Sequence, residues 1–338
     1  MENELQHPFF VTVFLFYQDK KVYYLFGGNM GNRIVVIGAT NTDIAGQCLY
    51  PMVLEDSNIG TVTISIGGVG HNTAMNLAKL GEDVTFITAL GSDILSYNAR
   101  KEMENMMDIS SSLIAEGRSG VYLYVADENG DMHVAVNDMS VTDKLTKEFI
   151  EEKREIIENS PYLVLDANLR EETIHTASTI AKGKVIIDAV STLKVPKLKS
   201  SLSNIDVLKL NRMELETLSE LPASTEAEIK EASLKLLSLG VKAVITTVGS
   251  KGAYYLDKSQ FLHSEIAKVR SSNTNGCGDA FLSGFVSALS RDIDIKNALK
   301  FASATAGVAA ESADTIAKNM KKSLVQNLAK EIKVEELS

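Results

Sequence analysis

Six short apolar runs, at residues 34–38, 84–89, 162–165, 185–187, 207–210 and 243–247, punctuate this chain, and helical patterns fill most of the intervals between them. Continuous Val- and Ile-rich runs are what strands buried on both faces require. Repeated strand-then-helix units join parallel strands through right-handed crossovers. The expected fold class is therefore α/β, with a doubly wound, mostly parallel sheet flanked by helices. A chain of 338 residues, 45% of them apolar and 23% charged, can bury such a core in one large domain.

Two regions depart from that alternation. Residues 120–126 and 131–136 alternate apolar and polar positions around Glu128-Asn129-Gly130, the pattern of a β-hairpin with a tight Asn-Gly turn. Residues 61–66 alternate in the same way. Together they predict a small β-sheet lid, built from about 47–66 and 118–138, on a main domain spanning 33–330. Residues 1–32 read as an extension of unknown role. Its apolar stretch, residues 9–17, is too short to span a bilayer, and Glu2 and Glu4 stand where a secretion signal carries basic residues.

Net charge is −10 and the isoelectric point is near 5.2. An acidic surface repels nucleic acid and anionic membranes, so neither is expected as a partner and a small polar substrate is. Two cysteines, Cys48 and Cys277, are too few for a disulfide scaffold. A mean hydropathy near zero fits a cytoplasmic enzyme.

The chemistry concentrates at Asn273-Thr274-Asn275-Gly276-Cys277-Gly278-Asp279-Ala280-Phe281, a glycine-rich turn and a carboxylate before an apolar helical segment. Helix starts present unpartnered N–H groups and a partial positive charge, and small residues let a phosphate approach them. A carboxylate beside such a hole can accept a proton. The same pattern also suits an ordinary Asp cap after a glycine turn. Residues 301–310 form a second unusual helix, so rich in Ala, Ser and Gly that something must pack close to it. A neighbouring helix and a flat ligand ring both satisfy that requirement.

Two phrases, Gly67-Gly68-Val69-Gly70-His71-Asn72 followed by Ala74 to Gly81, and Asn273 to Asp279, resemble in order and spacing the two signatures of the ribokinase or PfkB family of sugar and nucleoside kinases. The resemblance runs from about Arg33 to Ala310. Within the family, Gly38 to Gly46, Asp56 to Gly60, Ala135 to Met139 and Asn211 to Ser219 are similar to phrases of its pseudouridine kinases. The resemblance implies a ribokinase-like fold and ATP-dependent phosphorylation of the 5′-hydroxyl of pseudouridine. Another sugar or nucleoside kinase, such as a ribokinase, fructokinase or adenosine kinase, and a nucleoside-binding sensor without catalysis are the alternatives.

Carried onto this chain residue by residue, the resemblance implies Asp279 as general base and the amides of Gly276, Cys277 and Gly278 as an anion hole. Asn41, Asp43, Gly67, Gly68 and Asn72 fall at substrate-binding positions, with Asn137 and Lys194 as further candidates for that pocket. Turn and cap chemistry is the plainer account of Asp43 and Asn72. Asn211 and Glu214 would organise Mg²⁺ through water, though an Asn-x-x-Glu pair is also a helix cap. Thr247, Gly249 and Gly252 lie in a turn similar to the family's nucleotide-binding turn, and Ala304 and Gly307 would complete an adenine pocket. Asn273 replaces an Asp common in ribokinases near a monovalent cation, which leaves K⁺ as an open cofactor. A homodimer through the lid strands is expected.

Overall fold

The computed structural model describes residues 33–272 and 274–338; the expectations for residues 1–32 and for Asn273 lie outside them. From the amino end, β1 (Ile34–Ile37), β2 (Asn41–Cys48) and β3 (Gly60–Gly67) lead into helix α1 (Val69–Lys79). Next come β4 (Val84–Ile87), the short β5 (Ala89–Leu90), α2 (Ile94–Glu104), β6 (Leu113–Ile114) and the hairpin β7 (Val121–Ala126) and β8 (Met132–Asp138). Helices α3 (Lys147–Glu152) and α4 (Arg154–Glu158) precede β9 (Tyr162–Asp166), α5 (Glu171–Ile180), β10 (Lys184–Asp188) and β11 (Val207–Asn211). The rest is α6 (Arg212–Ser219), α7 (Glu226–Ser238), β12 (Ala243–Thr247), β13 (Ala253–Asp257), β14 (Phe261–Ser264), α8 (Cys277–Leu289), α9 (Ile295–Ala310), α10 (Lys322–Ala329) and β15 (Val334–Glu336).

Nine strands form the main sheet in the order β15-β14-β13-β12-β11-β10-β9-β1-β4. The six from β12 to β4 are parallel, and β13, β14 and β15 add an antiparallel edge. Successive side chains point to opposite faces of a strand, and here both faces are covered. Ile34 and Val36 enter one apolar core with α1, α8 and α9, whereas Val35 and Ile37 enter a second with α5, α6 and α7. The doubly wound, mostly parallel α/β architecture expected from the apolar runs is the observed one.

A separate four-stranded sheet has the order β3-β2-β7-β8. Residues 120–126 and 131–136 form its hairpin as expected. Its second strand has no strand signal of its own, yet Asn41 to Cys48 lies paired between β3 and β7. Pairing on both sides outweighs the poor strand propensity of Asn41, Asp43 and Gly46. The sheet also begins at Asn41 rather than near residue 47. Elsewhere, α8 starts at Cys277, inside the glycine turn, and β15 has no strand signal of its own.

Candidate active site

Parallel strands place their carboxyl ends along one edge, where α/β sheets bind ligands. Here that edge carries Ala39 after β1, Asp166 at the end of β9, Asp188 at the end of β10, Lys209 and Asn211 on β11 and Thr247 on β12. Helix α8 begins beside them. Gly276 is its N-cap with φ 76°, in the left-handed region, and a Cβ there would lie 2.5 Å from the carbonyl oxygen of Thr315. Glycine is required on both counts.

Asp279 lies in the first turn of α8 and is 9% exposed. Its Oδ2 accepts a hydrogen bond from Asn72 Nδ2 at 2.8 Å. Burial, reinforced by the charge of Asp188, pushes its carboxyl up to about 7, against the opposing pull of Lys209 and the Asn72 amide. A carboxyl with that proton affinity can exchange a proton near neutral pH. The Cys277 thiol is pushed up as well, first by burial and then by Asp279, which suits a structural rather than a nucleophilic cysteine. The Cys277 amide donates to the Thr274 carbonyl at 3.3 Å, so this member of the proposed hole has an acceptor within the protein.

Among the substrate-side candidates, Asn72 touches Asp279, and Asn41, Asp43 and Gly67 lie against one another. Asn41 donates to Asp43 Oδ1 at 2.5 Å, and the Asp43 carboxyl packs against the backbone of Gly67, where a side chain would collide with it. Burial raises the proton affinity of Asp43, and the Asn41 hydrogen bond opposes the shift. Gly68, with φ 101°, passes the chain into α1, which delivers Asn72 to Asp279. Asn137 stands in the same row as Asp43: Asp43 pairs with Tyr122 and Tyr122 with Asn137, so all three share one face of the small sheet. Lys194 is half-buried with its ammonium on Asn168 Oδ1, and burial lowers its proton affinity despite Asp166 nearby.

Asn211 and Glu214 form a complete capping box for α6. Asn211 accepts from the Glu214 amide at 3.0 Å, while the Asn211 amide and side chain donate to the two Glu214 carboxylate oxygens at 2.7 and 2.6 Å. The cap reading of this pair is thus correct as far as it goes. A cavity of about 830 Å³ opens beside it, lined by Asn211, Thr247 and Gly249 together with Arg212, Met213 and Tyr254. Gly252 is buried at the turn into β13 with φ 93°.

Ala304 and Gly307 are not on this wall. Ala304 is fully buried in the core, and the space a Gly307 side chain would need is occupied by Ala267. The small residues of α9 serve close packing against neighbouring chain, the plainer of the two readings. Asp166, Asp188, Lys209, Asn168 and Tyr122 had not been singled out. Lys209 had a signal, a lone charge inside the apolar run Val207-Leu208-Lys209-Leu210.

Residues 32–322 match the family model for pfkB family carbohydrate kinases. The chain is 31% identical to the pseudouridine kinase of Escherichia coli K12 over 280 residues, covering 82% of this chain and 90% of that protein. It is 29% identical to a ribokinase of Staphylococcus aureus over 275 residues, 78% of this chain and 88% of the other. A ribokinase from Thermotoga maritima superposes with a TM-score of 0.79 at 24% identity, over 88% of this chain and 99% of its own.

Proposed function

The chain belongs to the pfkB family of carbohydrate kinases, phosphotransferases that act on hydroxyl groups, and on that premise we propose that it transfers the γ-phosphoryl group of ATP to the 5′-hydroxyl of pseudouridine. The observation that carries the reading is the meeting of Asn72 and Asp279 at the start of α8. Similarity to the pseudouridine kinase of E. coli supports the choice of acceptor.

In this mechanism Asp279 removes the proton of the 5′-hydroxyl as the oxygen forms its bond to the γ-phosphorus. The bond from that phosphorus to the β,γ-bridging oxygen breaks, ADP leaves, and the proton stays on the carboxyl until solvent takes it. Catalysis of phosphoryl transfer is mostly positioning and charge stabilisation. Asn72 orients the base, and the first-turn amides of α8 face the charge that develops on the transferring group. Asn41, Asp43 and Asn137 would hold the ribose hydroxyls, since a group left unpaired by the wrong sugar penalises it.

Among the described residues no three His, Cys, Asp or Glu side chains stand close enough to cage a metal ion. Glu214 has the oxygen chemistry for Mg²⁺, but both its oxygens are occupied by Asn211. Asn211 and Glu214 would therefore hold such an ion through water rather than directly. There Mg²⁺ would neutralise charge on the phosphates.

The four-stranded sheet would close over the acceptor as a lid. Its face opposite Asp43 carries Val62, Ile64, Leu123, Val134 and Val136, all exposed, with Val62 at 70%. Contiguous exposed apolar surface of this kind marks an interaction site, which supports a homodimer through the lids. Among the described residues no helix is long and apolar enough to cross a membrane.

The test is turnover with ATP across pseudouridine, uridine, adenosine, ribose and fructose. Pseudouridine should give the highest kcat/KM. The similarity to the S. aureus ribokinase makes ribose the second reading, and preference for ribose with no turnover of pseudouridine would replace the first.

A further inference from the structure

Lys209 brings a full charge into the middle of the main sheet, where burial alone would strongly disfavour it. Asp188, its partner in register on β10, takes the ammonium at 2.9 Å, and the two side chains are only 9% and 3% exposed. The ammonium has a second neighbour. A Cβ on Gly278 would lie 2.9 Å from Lys209 Nζ, so the cation sits directly against the first turn of the helix that carries Asp279. A side chain at Gly278 would have to displace that ammonium, whatever the glycine also allows a phosphate to do. Buried ion pairs are often no more stabilising than apolar residues of the same volume, which leaves the location of this charge as the feature to explain.

Asp279 is faced from every packed side. Asn72 on α1 donates to it, Asp166 and Asp188 at the ends of β9 and β10 repel its charge, and Lys209 on β11 is the cation that attracts it. Cys277 on its own helix carries a neutral thiol. Glu214, on α6, acts on Lys209. Burial opposes the charge on Lys209, but Asp188, Asp279 and Glu214 together raise its proton affinity, so the ammonium is permanent.

Resting on the reading of Asp279 as the base, we propose that Lys209 and Asp188 are positioning residues of the phosphoryl-transfer site: Lys209 holds Asp279 as a carboxylate at the first turn of α8, and Asp188 fixes the ammonium there while limiting its pull. Two opposing charges of this kind set the pH at which the base becomes available. Opposite and like charges within a few ångströms move a carboxyl in opposite directions by about one unit or more.

A readout without substrate exists. The pH dependence of the Tm difference between a protein and its Asp279→Asn partner reports the titration of Asp279 through linkage. That difference is measured in the wild-type, Asp188→Asn, Lys209→Met and Asp188→Asn/Lys209→Met backgrounds, beside kcat/KM with ATP and pseudouridine from pH 5 to 9. Asp188→Asn should move the midpoint and the acid limb of kcat/KM down by about one unit, and Lys209→Met should move both up. Lys209→Met leaves Asp188 unpaired in the core and can fail to fold; the Asp188→Asn background then decides alone. An Asp188→Asn midpoint and acid limb that coincide with wild type overturn the proposal. Retained turnover in Asp279→Asn would instead remove the reading beneath it.

Discussion

Asn72 donates a 2.8 Å hydrogen bond from its side-chain amide to Asp279, across 207 positions of sequence. Two glycine-rich segments at opposite ends of the domain are thereby made into one site. A hydrogen bond to a charged group contributes about 1.5–3 kcal/mol, so Asn72→Ala should lower kcat/KM roughly tenfold to a hundredfold. Its acid limb should shift to higher pH, because the amide favours the carboxylate form. Turnover at several pH values checks both.

Asp279 should make the ligand-free protein less stable as pH rises. Its carboxyl titrates near 7 when folded and near 3.8 when free, so folding disfavours the ionised form. No penalty exists below about pH 4; it grows between about 4 and 7 and is constant above. Asp279→Asn removes it. The variant should match wild type at pH 4 and exceed it at pH 8 by on the order of 4 kcal/mol, several degrees in Tm, measured by thermal denaturation.

The glycines of the first turn should not be equivalent. Gly276→Ala meets both a left-handed backbone and the Thr315 carbonyl, and so is expected to cost about 2 kcal/mol or more of stability together with activity. Gly278→Ala meets only the end of Lys209, which can move at the expense of its bond to Asp188. It should retain most of the stability while kcat falls. Denaturant titration beside steady-state kinetics separates the two.

The apolar face of the small sheet gives a separate expectation. If two copies join there, Val62→Asp with Val136→Asp should convert a dimer to a monomer in light scattering, because the charges would be desolvated at the interface. A wild-type protein that is monomeric at all concentrations would remove the dimer.

The main sheet was legible because strands buried on both faces leave uninterrupted apolar runs, as at Ile34 to Ile37, and the hairpin because Asn129-Gly130 marks a turn. Strand β2 was not, since Asn41 to Cys48 owes its conformation to partners on either side rather than to its own residues. The glycine turn and Asp279 were visible as local chemistry. What surrounds Asp279 was not: Asp166, Asp188 and Lys209 lie on three different strands, and only the order of the sheet brings their charges together. Composition likewise could not tell whether the small residues of α9 face a ligand or a helix. Gly284 of α8, lying against Ala302 and Thr305 of α9, answers that question.

The most direct test of the account is ADP release on mixing the protein with ATP, Mg²⁺ and pseudouridine, run in parallel with Asp279→Asn. Release that requires pseudouridine and falls by at least about 10²-fold in the variant is the predicted result. Release that is the same in both proteins would contradict Asp279 as the base and, with it, the mechanism built around α8.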